Sequence, residues 1–114
     1  MPKTKEHLRK ATDNESFADS LDLKVPVNVD WAITALFYAA LHYVEAYFAT
    51  QNFHSPDHRT RDSAIHRDQG VKAIFDDYSE LKNYSINARY YIWRHPPPAV
   101  ANLKANLSKI KQQV

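Results

Sequence analysis

The chain has no cysteine, one glycine and one methionine among its 114 residues. Without cysteine it can form no disulfide framework and can use no thiolate as a nucleophile or metal ligand. The single glycine, beside frequent alanine, leucine and tyrosine, favours helices over sheets. These absences argue against a disulfide-stabilised secreted domain and against an all-β fold, and the lack of cysteine fits a reducing cytoplasm.

Acidic residues are also missing from one part of the chain. None follows Glu80, although the net charge of the whole chain is only +2. Six cations do follow it: Lys82, Arg89, Arg94, Lys104, Lys109 and Lys111. A basic C-terminal third is compatible with binding RNA or another polyanion, but ordinary solvated helices carry such charge as well. The first residues, MPKTKEHLRK, lead into no apolar run, so we expect no signal peptide and a cytoplasmic protein.

The longest apolar stretch runs from Asp30 to Asn52, DWAITALFYAALHYVEAYFATQN. It predicts a central helix that is apolar on nearly every side, and such a helix must be wrapped by others. Asp30 is predicted to cap its first turn. The apolar run only reaches the lower limit for a membrane span, about 17 residues, and it contains His42 and Glu45. We therefore expect a buried core helix and no membrane.

The polar exceptions in this helix fall within a narrow arc at ~100° per residue. They are Thr34, Tyr38, His42, Glu45 and Asn52. The arc is either a solvated seam or the lining of a pocket or dimer seam. A buried glutamate needs a partner, and an arginine from another helix is the natural one for Glu45.

Helical periodicity predicts four further helices, over residues 4–23, 56–67, 71–93 and 99–114. Ser55 is predicted to cap the start of the helix over 56–67, and Gly70 to end it. Three prolines at 96–98 separate the last two helices. We therefore expect one all-helical domain over residues 1–114, in which 99–114 is a C-terminal amphipathic helix.

Two arginine and histidine pairs have a spacing that can serve RNA cleavage without a metal ion. Arg61 and His66 have four residues between them, and Arg89 and His95 have five. Histidine would act as general acid or base, and arginine would stabilise charge on the phosphorane. On a regular helix the members of each pair point ~120–140° apart, so they converge only at a helix end or across a two-fold axis. The alternative for both pairs is solvated surface charge.

Two other patterns have a chemical reading. The series His54, His58, Asp62 and His66 recurs every four residues, which is metal-ligand spacing on a helix. Pro56 and the predicted cap at Ser55 separate His54 from the others, and histidine-rich exposed helices are often only polar surface, so we expect no metal and no cofactor. The stretch NARYYIWRH interleaves basic and aromatic residues, and its exposed rings could stack on nucleobases, with core packing as the alternative.

Three stretches together resemble small bacterial and archaeal HEPN domain proteins: DWAITALFYAALHYVEAYFA, HSPDHRTRDSAI and DDYSELKNYSINARYY. The likeness covers roughly residues 6–91. It implies an all-α bundle of four to five helices of HEPN type, with two helical hairpins around the central apolar helix, and a homodimer. Many members are metal-independent ribonucleases of toxin–antitoxin or defence systems.

The family signature is Arg, four to six residues, then His, with a polar residue directly after the Arg. Arg61, Asp62 and His66 match these letters, so the resemblance makes Arg61 and His66 the catalytic candidates. A polar residue of the second helix often supports such a site, and Glu45 is the candidate here.

The usual position of the signature, by order along the chain, corresponds instead to residues 84–90. There Arg89 and Tyr90 stand where the family has its Arg and polar residue. These two, with Glu45 and His58, are the candidate binding residues. We expect a HEPN-type protein that binds or cleaves RNA. The alternative is a catalytically silent HEPN domain that binds a nucleotide or a protein partner of antitoxin type.

Overall fold

The structure, a computed structural model, describes residues 3–90 and 94–114. The regular elements in these residues are helices: α1 (Thr4–Ser20), α2 (Pro26–Ala49), α3 (His58–Arg67), α4 (Phe75–Tyr90) and α5 (Pro98–Gln113). One short 3-10 turn, Lys72–Ile74, precedes α4. The described residues contain no strand, and the predicted all-helical class is confirmed.

Helix α2 is the centre of the bundle, as its apolar surface predicted. It packs against α1, α4 and α5. Side chains on several of its sides are fully buried, among them Ile33, Leu36, Phe37 and Val44. A helix that is apolar all round is stable in water only when its neighbours cover it in this way. Within residues 3–90 and 94–114, no helix has the length and hydropathy needed to cross a bilayer.

The four longer helices form two antiparallel hairpins. Thr4, at the start of α1, donates a hydrogen bond to the carbonyl of Ala46 near the end of α2. In the second hairpin, Asn106 of α5 donates to the carboxylates of Asp77 and Glu80 in α4. The short helix α3 lies on the link between the hairpins and brings polar side chains to α2 and α4.

Two predicted helix starts are wrong. Helix α2 begins at Pro26 instead of Asp30, because a proline with its fixed φ and missing N–H is well suited to a first turn. Asp30 lies inside α2, where its carboxylate pairs with Arg94 at 3.4 Å. Helix α3 begins at His58, and its cap is Asp57 instead of Ser55. The Asp57 carboxylate accepts a hydrogen bond from the Thr60 N–H at 2.7 Å.

Other boundaries differ by a few residues. Helix α1 ends at Ser20, three residues before the predicted end, and α4 begins at Phe75 after the 3-10 turn. The predicted helix over 71–93 also includes residues 91–93, which lie outside the described residues. Helix α5 agrees with its prediction and buries Val100, Leu103, Leu107 and Ile110.

Gly70 does not end α3, which stops at Arg67. Its role is to leave room for Tyr47, because a Cβ at position 70 would collide with the Tyr47 hydroxyl. That hydroxyl donates a hydrogen bond to the Asp68 carboxylate at 2.9 Å and so ties α2 to the turn after α3. The φ angle of Gly70 is not positive, so alanine could adopt its backbone conformation.

Gly70→Ala therefore should cost less when the Tyr47 hydroxyl is absent. In the natural chain the methyl group displaces that hydroxyl, and the lost hydrogen bond costs about 0.5–1.5 kcal/mol. In a Tyr47→Phe background this cost disappears, and the remaining close contact of the methyl group is with Asp68 Oδ1, 3.1 Å away. Urea unfolding of the four proteins measures the coupling. Equal effects in both backgrounds would contradict this role of Gly70.

Candidate functional site

A buried ion pair joins α3 to the central helix. Arg61 Nε donates to Glu45 Oε1 at 2.5 Å, and the residues are only 7 % and 4 % exposed. The second carboxylate oxygen of Glu45 lies 3.5 Å from the Ser55 N–H in the loop before α3. The expectation that an arginine from another helix would partner Glu45 is confirmed. Glu45 thus holds both α3 and the loop that precedes it.

His58 contacts the same arginine from one turn earlier in α3. Its Nδ1 lies 3.1 Å from Arg61 Nη1. A guanidinium can only donate, so Nδ1 is the acceptor, and the neutral His58 ring carries its proton on Nε2. Burial lowers the pKa of His58, and the charges of Arg61, Lys82 and Arg89 lower it further. His58 is therefore a neutral ring whose remaining nitrogen is a hydrogen-bond donor.

One face of α4 completes this region. Tyr78, Lys82, Ser85 and Arg89 follow at intervals of four, three and four residues, so they lie on the same side of the helix. Tyr78 is fully buried, which raises its pKa, and the adjoining Arg61 charge opposes that rise. Lys82 pairs with Asp62 of α3 at 2.5 Å. Arg89 donates to the buried Ser85 hydroxyl.

We call the three cations Arg61, Lys82 and Arg89, together with the neutral His58 ring that contacts Arg61, the cationic cluster. Glu45 and Asp62 neutralise Arg61 and Lys82. Arg89 is different, because it pairs with no carboxylate among residues 3–90 and 94–114. Its guanidinium lies 5.6 Å from the centre of the Tyr38 ring and 5.4 Å from that of Tyr90. The cluster therefore keeps one cation whose charge no acid offsets.

In each of the two predicted pairs, the arginine and the histidine lie in different surroundings. Arg61 points inward to Glu45, whereas His66 is exposed and its ring lies 4.9 Å from that of Phe75. Arg89 contacts Ser85 and two tyrosines, whereas His95 stacks on Tyr84 with ring centres 4.5 Å apart. Burial lowers the pKa of His95 and the charge of Asp30 opposes this. The catalytic assignment of Arg61 and His66 stays a prediction.

Several residues of this region, among them Lys82, Ser85 and Tyr38, were not among the predicted site residues. Lys82 and Ser85 share the α4 face with Arg89, and that spacing was readable from the sequence. Tyr38 was predicted only as part of the polar arc of α2. What the arc could not reveal is which helix would cover it, because that depends on the packing of α4.

A pair of histidines joins α1 to α2 on another side. His7 Nδ1 and His42 Nδ1 are 3.1 Å apart, and the ring centres are 5.3 Å apart. The rings therefore meet head to head, as in an N–H···N hydrogen bond, instead of converging on a shared ion. Within the part of the chain that the structure describes, no three His, Asp or Glu side chains are grouped so that they could hold a metal ion.

No protein-family model matches the chain, and no curated protein or solved structure matches it either. The likeness to HEPN proteins therefore stays a resemblance. The homodimer and the antitoxin-type partner that it implies stay predictions.

Removing one partner of the Glu45–Arg61 pair should destabilise the fold strongly. Arg61→Met leaves the Glu45 carboxylate buried without its partner, which costs about 3–5 kcal/mol of unfolding free energy at pH 7. The double variant Glu45→Leu with Arg61→Met removes both charges and should recover most of that loss. Lys104→Met is the control, since its pair with Asp19 is exposed and is worth less than about 1 kcal/mol. Equal losses for Arg61→Met and Lys104→Met would contradict a structural role.

The histidine pair should make the fold sensitive to acid. Burial, then the neighbouring His7 charge, lowers the pKa of His42 to about 4, and burial lowers the pKa of His7. The unfolded chain takes up these protons near pH 6.5 while the folded chain does not, so stability falls as the pH drops from about 6.5 toward 4. His42→Gln should show a shallower fall in chemical unfolding measured across this range. His66→Gln controls for the loss of a histidine, and equal slopes in both variants would contradict the assignment.

Proposed function

We propose that this protein binds RNA as a catalytically silent, HEPN-type domain, with the cationic cluster as the site for a backbone phosphate. The observation that carries the proposal is Arg89, a half-buried arginine without a carboxylate partner in the described residues. A guanidinium held by a neutral hydroxyl and two aromatic rings keeps its charge and most of its donors for an anion.

His58 and Lys82 support a phosphate beside Arg89. The Nε2–H of neutral His58 can donate to a phosphate oxygen. The positive charges of Lys82 and Arg89 lower the pKa of His58 and so favour its neutral form. Lys82 retains two of its three ammonium donors after pairing with Asp62. The other cations after Glu80 each pair with a carboxylate, so Arg89 is where this part of the described residues keeps positive charge for an anion.

The same geometry favours binding over cleavage. Cleavage by the 2′-hydroxyl needs a base with a free lone pair within reach of that proton. The acceptor nitrogen of His58 is occupied by Arg61. Arg61 itself is held by Glu45 below the surface, and the exposed His66 lies ~140° around α3 from it, so the two do not meet within this chain. The cluster thus has the groups for holding a phosphate, but its imidazole is not placed as a base.

Fluorescence anisotropy with a labelled single-stranded RNA, in EDTA and at several salt concentrations, tests the proposal. Arg89→Met and Lys82→Met should each weaken binding about tenfold, because hydrogen bonds to charged groups are worth roughly 1.5–3 kcal/mol. Each should also reduce the salt dependence by about one counterion. Lys104→Met removes an exposed lysine of α5, outside the cluster, and should change neither.

The RNA is recovered from each titration and separated on a gel, so that cleavage is read from the same samples. Intact RNA with weaker binding by the two cluster variants is the expected result. Cleavage that is lost in His66→Ala would establish the ribonuclease instead, with the catalytic residues that the resemblance implies. Equal binding by all variants would exclude the cationic cluster as the RNA site.

A further inference from the structure

A concave surface adjoins Arg89 of the cationic cluster, at one end of the bundle. It is an open pocket of about 350 Å³ between the first turns of α2 and the last turns of α4. Trp31, Arg89 and Tyr90 line it, together with Asp30 and Thr34. The volume is within the range of small-ligand sites, roughly 300–1,000 Å³.

The pocket presents aromatic surface to solvent. Trp31 is 54 % exposed and Tyr90 is 74 % exposed. Val27, which also lines it, is exposed as well. Large aromatic side chains left in water at one place mark a surface that binds something. Their flat faces are suited to stacking, and stacking tolerates any base because every base has a π-face.

The charges around the pocket favour a nucleotide over an apolar partner. Arg89 lines the pocket and is the cation of the cluster without an acid partner. The one carboxylate of the lining, Asp30, is paired with Arg94 at 3.4 Å. Trp, Tyr and Arg are enriched in protein–protein interfaces as well, so the feature that favours an anionic nucleotide is the charge of Arg89, which no carboxylate of the described residues pairs with.

Arg89 also connects the two surfaces, since it lines this pocket and lies on the same face of α4 as Ser85 and Lys82. We propose that the pocket takes one unpaired nucleobase of an RNA strand, stacked on Trp31 and Tyr90, while the adjoining phosphate is held at the cationic cluster. This inference rests on the proposed function, because the strand must first bind the cluster. It predicts a preference for single strands, since bases inside a duplex are already stacked and cannot enter the pocket.

The test compares a labelled RNA octamer with a duplex of the same length by anisotropy. Trp31→Ala should weaken octamer binding about tenfold and leave duplex binding unchanged. Tyr90→Ala should weaken octamer binding more than duplex binding, because the Tyr90 ring also packs against the Arg89 guanidinium. Phe17→Ala is the matched control, because Phe17 is a comparably exposed ring (49 %) on α1, outside this pocket, and should change neither. Arg89→Met should weaken both, because it acts on the phosphate.

Two further experiments distinguish a base of an RNA strand from a free nucleotide and from a second copy of the chain. Competition by adenosine monophosphate but not by ribose 5-phosphate supports base recognition. If adenosine monophosphate competes at the same concentration as the unlabelled octamer, the pocket is a site for a free nucleotide. That result would overturn the proposal that it takes a base of an RNA strand. Sedimentation of Trp31→Ala and Tyr90→Ala checks the remaining occupant, since a change of oligomeric state in these variants would assign the face to a second copy and overturn the proposal.

The outcomes separate the two proposals. If Arg89→Met weakens octamer binding while Trp31→Ala and Tyr90→Ala match Phe17→Ala, the phosphate site stands and the base pocket is overturned. If the natural chain binds neither RNA, the proposed function fails and the base pocket fails with it.

Discussion

The buried ion pair between Glu45 and Arg61 is the contact on which the site depends. Taking these two charges out of water is costly, so each is tolerated only because the other is present. The pair fixes how α3 lies on α2, and with it the positions of His58 and Asp62 on the same helix. Asp62 then meets Lys82 of α4. One buried pair thereby aligns the polar side chains of three helices.

This arrangement gives two arginines different roles. Arg61 uses its donors on Glu45 and on His58 Nδ1, and little of it is exposed. Arg89 rests on Ser85, Tyr38 and Tyr90, which are all neutral. An arginine bound to a buried carboxylate has little to offer an anion, whereas one held by neutral groups keeps its charge for it. Arg61 is tied to Glu45 inside the fold, and Arg89 is the arginine that we assign to phosphate.

Much of the fold could be predicted from periodicity. The apolar stripe of α2, the amphipathic face of α5 and the need of Glu45 for an arginine all follow from the spacing and type of residues, and the structure confirms them. The ends of the helices were less predictable, because the competing signals were local. Pro26 could either break a helix or begin one, and in the structure it is the first residue of α2. Likewise Ser55 and Asp57 are both good caps, and only the path of the loop selects Asp57.

The candidate site was harder to predict from the sequence, for a different reason. A motif of arginine, spacer and histidine fixes the residue types and their spacing, but not the direction in which each side chain points. Arg61 and His66 lie ~140° apart on one helix, so burying Arg61 against α2 turns His66 toward solvent. The histidine that does contact Arg61 within this chain is His58, and the three-residue interval places these two on one face of α3. Here Glu45 holds Arg61, and His58 Nδ1 accepts a hydrogen bond from the same guanidinium. The nitrogen that His58 has left, Nε2–H, can donate to a phosphate but has no lone pair with which to act as a base.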